Sequence, residues 1–158
     1  MTRHRLCLIH PFDLRGEPAD LVENRLAAIV AAEPADFDLV VVGIDRFGDL
    51  ALGAPIDLPV AGRSVTFVPV ARDGGAAFAK GLVLRLAGVR AAARAEISSI
   101  SVHDFAWAPL ARLVGRPIVL VVHEDPRAGT VAGRTGFVEA LREMVALRAV
   151  DRIVGCDA

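Results

Sequence analysis

At 158 residues, 54% hydrophobic and with a formal charge of −1, the chain can bury one core of ordinary size and projects no net field toward nucleic acid. The apolar run after the basic start Met1-Thr2-Arg3-His4-Arg5 is only Leu6 to Ile9. That is too short for a signal-peptide core, and nothing approaches the ~18 apolar residues of a membrane span, so a cytoplasmic protein is expected.

Residues 5–10 predict a first strand closed by Pro11, followed by a loop over 11–19 with Pro18 placed for a helix start. The helix expected over 20–33 puts Val22, Leu26, Ile29 and Val30 on one face, and Pro34 ends it. A second buried strand covers 39–44. The segment 45–63, with Gly48, Gly53, Pro55, Pro59 and Gly62, is an excursion with room for a small hairpin, and 65–70 is a third strand. Asp73-Gly74-Gly75 leads into one long helix over 76–94, whose apolar stripe is Phe78, Leu82, Leu86, Val89 and Ala93.

The stretch from Ser98 to His123 then reads as strand, helix, strand. Ile100 to Val102 is β-type, Asp104 offers a capping oxygen, and Trp107, Leu110, Leu113 and Val114 recur at helical spacing. Gly115 sits where a helix end wants positive φ, and Pro117 opens Ile118-Val119-Leu120-Val121-Val122, an unbroken apolar run suited to a strand buried on both faces. A Gly-rich loop over 124–133 precedes a helix over 135–149, with Phe137, Leu141, Met144 and Val145 inward. A last strand covers 152–155. Cys7 and Cys156 lack metal-ligand spacing and are expected as buried thiols.

Strands alternating with helices predict an α/β fold, a Rossmann-like doubly wound sheet. It is expected to be mostly parallel, six-stranded, in the order 3-2-1-4-5-6, with helices on both faces. Ligands bind such sheets at the carboxyl ends of the strands. That edge would gather His10, Asp13, Arg15 and Gly16 from the first strand and loop, His103 and Asp104 from the fourth, and His123, Glu124 and Asp125 from the fifth. A histidine there can move a proton near neutral pH or hold a hydroxyl, and it can equally fasten a loop. Asp104 also reads as a helix cap. Gly-x-Gly-x-x-Gly, the P-loop pattern and the Gly-x-Ser-x-Gly elbow are all missing, which argues against the dinucleotide, nucleoside-triphosphate and simplest hydrolase chemistries. Lys80, Arg85, Arg90 and Arg94 make the long helix basic, read first as a solvated face and otherwise as peripheral contact at the inner membrane face.

The ordered series Val102-His103-Asp104, then Leu113-Val114-Gly115-Arg116-Pro117 running through the apolar strand to His123, then Ala149-Val150-Asp151-Arg152-Ile153-Val154-Gly155-Cys156 resembles the N-terminal domain of glycosyltransferase family 4. The likeness is best over 98–158, moderate over 5–44 and topological between. Arg15-Gly16-Glu17 stands where that family has two glycines.

The resemblance implies a GT-B enzyme in which 1–158 is the acceptor-side domain. A C-terminal domain of the same parent would bind a nucleotide-sugar, and the sugar would pass with retention to a glycan or lipid-linked acceptor without bound metal. It assigns the catalytic contact to His123 and backbone approach to Gly16. It also implies that the isolated chain does not transfer sugar and that a surface for the missing domain could self-associate. Two alternatives stay open: a small hydrolase with metal held by His10, His103 and His123, and a stand-alone α/β binding domain without catalysis.

Overall fold

A computed structural model of the chain describes residues 4–32, 34, 37–95, 97–104, 106–122, 144–145 and 147–155. Its elements are β1 (His4–Ile9), α1 (Leu21–Ala32), β2 (Phe37–Ile44), β3 (Ile56–Val60), β4 (Arg63–Ala71), α2 (Gly75–Leu84), α3 (Leu86–Ala92), β5 (Ile97–Val102), α4 (Ala108–Ala111) with a 3-10 turn over Arg112–Val114, β6 (Ile118–Val122) and β7 (Arg152–Gly155).

These seven strands form one mixed sheet in the order β3-β4-β2-β1-β5-β6-β7. All neighbours pair parallel except β3 with β4, which pair antiparallel. The expectation of six strands is therefore corrected to seven; with β3 set aside, the remaining order is β4-β2-β1-β5-β6-β7. The added strand is the hairpin allowed for within 45–63. It turns through Ala61 (φ 48°) and Gly62 (φ 80°), the pair of positive φ angles whose twist matches a two-residue hairpin. Along β3 Ile56, Leu58 and Val60 are half-buried while Asp57 and Pro59 face out. That period of two is the mark of a strand covered on one face, and an edge strand tolerates proline.

The inner strands show why unbroken apolar runs signal two covered faces. Cys7, Ile9, Val40, Val42, Val68 and Val70 pack with Phe78, Leu82 and Val89 of α2 and α3 and with Trp107 and Ala108 around α4. Their chain neighbours Leu8, Leu39, Val41, Val65 and Phe67 pack on the opposite face with Leu26 and Val30 of α1. Trp107 meets Phe78 edge to face at 5.0 Å, a favoured aromatic geometry. Cys7 is fully buried and free, and burial pushes its thiol up to about 12; Cys156 lies outside the described residues.

Three helical expectations change. The long helix over 76–94 is two, divided at Arg85 (φ −110°, ψ 17°). The division accompanies close packing on the loop after β2, since a Cβ on Gly53 would meet Arg85 Cγ at 3.0 Å and one on Gly88 would meet the Gly53 carbonyl at 2.9 Å. The helix after β5 is only the short α4 and its 3-10 turn, closed by Gly115 at φ 79°, and Leu113 faces outward. Residues 144–145 and 147–149 are helical, but Met144 and Val145 are exposed rather than inward; 135–143 lie outside the described residues.

Candidate functional site

The carboxyl ends of β1, β2 and β5 carry the polar side chains. After β1 the chain runs over the end of β2, where Ile44 N donates to the Phe12 carbonyl (3.0 Å). Gly43 makes this possible, because a Cβ there would come within 2.2 Å of that carbonyl oxygen and 2.8 Å of the Phe67 ring. The β2–β4 register shifts between Gly43 and Ile44, and Asp45 N then donates to the Ala71 carbonyl (2.8 Å). Asp45 is thereby delivered to the first loop.

Arg15 lies at the centre of that junction. Its Nε and Nη2 donate to the two oxygens of Asp13 (3.0 and 2.9 Å), Nη2 also to Asp45 Oδ1 (2.6 Å), and Nη1 to Asp49 Oδ1 (2.7 Å). The guanidinium carbon stands 5.0 Å from the centre of the Phe47 ring. The carboxylates of Asp13 and Asp45 are enclosed, and each also accepts backbone N–H groups: Arg15 and Arg46 on Asp13, Gly48 and Leu50 on Asp45. Burial works against charge on Asp45, but the Leu50 and Gly48 amides and Arg15 outweigh it and hold the carboxyl below its usual range. Arg15 is raised above its ordinary value, chiefly by its hydrogen bond to Asp13.

Glu23 ties the same junction to α1. It accepts from Ala19 N (2.7 Å) while its own N–H reaches Asp20 Oδ1 (2.8 Å), a reciprocal cap, and it pairs with Arg46.

Asp13 and Arg15, expected to touch substrate, thus hold each other and the β2 loop. Gly16 donates its N–H to the Asp13 carbonyl (3.2 Å). A Cβ on Gly16 would make only ordinary contacts, with Asp13 and Phe47 at 3.8 and 3.9 Å, so packing does not require glycine there.

His10 and His103 follow the paired residues Ile9 and Val102 of adjoining parallel strands, which places them one step past the same rung of the sheet. Both are about 7% exposed. Ser101 Oγ lies 3.0 Å from His103 Nε2, and the His10 ring stands 6.1 Å from that of Phe12. Asp104 is exposed; its carboxylate accepts Ala106 N (2.8 Å) and its carbonyl accepts Trp107 N (3.1 Å), so it shapes the turn into α4. The start of α2 reaches the same rim: a Cβ on Gly74 would stand 3.6 Å from Pro11, and no side chain caps that helix. His123, Glu124 and Asp125 lie outside the described residues.

Sequence reasoning missed Asp45, Asp49, Glu23, Arg46 and Ser101. Asp45 had a local signal, since an Asp directly after an apolar strand and three residues before a glycine commonly closes a loop on its own backbone. Among the described residues no group of three or more His, Cys, Asp or Glu side chains is placed to hold a metal ion. A depression lined by Arg112, Arg116, Pro117 and Asp151 lies at the opposite, amino end of β6. No protein-family model matches the chain, and comparison with curated proteins finds no match.

Proposed function

We propose that the chain is the acceptor-side domain of a retaining GT-B glycosyltransferase, its sheet a Rossmann-like layer with one antiparallel edge strand. What supports this reading best is the pair His10 and His103 on adjoining strands at the carboxyl edge, where open parallel sheets take their ligands. Imidazoles can hydrogen-bond sugar hydroxyls and carry a proton near neutral pH. Asp13, Arg15 and Gly16 then form the wall that positions the first loop, while His10, His103 and Asp104 line the acceptor side. His123 follows β6 directly in sequence and is proposed as the contact to the transferred sugar, with Glu124 and Asp125 beside it in the chain. The donor nucleotide-sugar belongs, in this reading, to a second domain of the same parent, with transfer to a glycan or lipid-linked acceptor in the cytoplasm.

The test is NMR of the imidazole resonances of the 158-residue chain, titrated with a panel of glycosides and polyprenyl-phosphate sugars. Shifts confined to His10, His103 and His123, with affinity lowered about tenfold in His103→Ala by loss of a buried hydrogen bond, are the expected result. Resonances unmoved by every sugar, or stoichiometric zinc in the purified protein, would overturn the reading and favour the binding domain or the hydrolase respectively.

A further inference from the structure

Between Asp73 and Glu96 the chain carries Lys80, Arg85, Arg90 and Arg94 but no acid, no hydroxyl side chain and no amide side chain. A helix packed on a sheet normally turns polar residues to water. Here the exposed positions of α2 and α3 include Lys80, Val83, Leu84, Ala87, Arg90 and Ala91, followed by Arg94. Val83 is 48% and Leu84 68% exposed, beside the break at Arg85. The four cations also divide. Arg85 packs along Gly53 and Arg90 donates to the Leu113 carbonyl (2.9 and 2.6 Å), whereas Lys80, on α2 with Val83 and Leu84, and Arg94, just past α3, are exposed.

We infer that the outer face of α2 and α3 docks on an anionic lipid surface, Val83 and Leu84 entering the headgroup boundary and Lys80 and Arg94 meeting lipid phosphates. Apolar side chains flanked only by cations match the chemistry of such a boundary. A second copy of the same face would set cation against cation, which disfavours self-pairing. Among the described residues no helix is long and apolar enough to cross a membrane, so the contact lies in the plane of the surface. Lipid contact here is independent of whether the carboxyl edge receives a sugar acceptor.

Co-sedimentation of the full chain with phosphatidylcholine vesicles, with and without phosphatidylglycerol, tests this. Binding should be about tenfold stronger to the anionic vesicles and fall as salt rises. Leu84→Glu, and separately Lys80→Glu with Arg94→Glu, should each lower it about tenfold without changing the thermal melt, because these side chains face water. Leu21→Glu, at an equally open position on α1 across the sheet, should leave binding unchanged. Equal binding to neutral vesicles, retention of binding by Leu84→Glu, or a lipid-free dimer that Leu84→Glu dissolves would overturn the inference.

Discussion

The two sides of the β1 terminus use polar side chains in opposite ways. Toward β2, Arg15 is gripped by Asp13, Asp45 and Asp49, and the enclosed carboxylates also hold backbone amides of both loops. Toward β5, the buried polar groups among the described residues are two imidazoles and a serine hydroxyl, groups that can stay neutral and trade one hydrogen-bond partner for another without leaving an unpaired charge. The difference separates architecture from chemistry. Permanent charges taken out of water must be matched by permanent partners, so they fix loops, whereas a titratable neutral group can exchange one partner for a ligand.

The sharpest way to break this contrast is Arg15→Ala. It leaves Asp13 and Asp45 enclosed without their common cation and should cost about 3–5 kcal/mol in urea unfolding. Asp45→Asn comes next, at about 1.5–3 kcal/mol, the size of a charged hydrogen bond. It also carries a pH signature. Because the folded carboxyl is held below its ordinary 3.8, its contribution is complete above that value and is lost as pH falls below it. Wild-type stability should therefore decline on that acid limb more steeply than that of the Asn variant.

His103→Ala should change stability by only about 1–2 kcal/mol while lowering sugar affinity, read from the remaining imidazole shifts, about tenfold. A loss as large as that of Arg15→Ala would make the histidine a structural tie. The smallest effect belongs to Asp49→Ala. Its side chain is 62% exposed although it touches the same guanidinium, and exposed ion pairs contribute about 0–1 kcal/mol.

What could be read from the residues follows this division. The inner strands were legible because burial on both faces writes itself as continuous runs such as Leu39 to Ile44, whereas in the run that opens at Ile118 only Ile118 and Leu120 are buried and Val119 and Val121 are half-buried. Gly115 announced its positive φ, and the hairpin before Arg63 was suggested by its prolines and glycines. The break at Arg85 was not legible, since arginine and leucine are both good helix formers and the division goes with Gly53 and Gly88 meeting across the fold. Arg15 was picked out as a polar residue on the right edge. Its engagement by Asp45, 30 positions away, depends on Gly43 letting the first loop lie across β2. Val83 and Leu84 illustrate the limit in another way, for helical spacing shows which residues share a face but not whether that face meets water.

The Ala61–Gly62 bend has a practical use. It precedes β4, so it lies at the amino rim, across the sheet from both histidines, and both of its residues are exposed. Exposed loop tips are among the places where a domain best tolerates insertions. A dye, an affinity tag or a surface tether anchored there would leave the opposite rim open to solvent, which makes this bend the natural handle for immobilising the molecule.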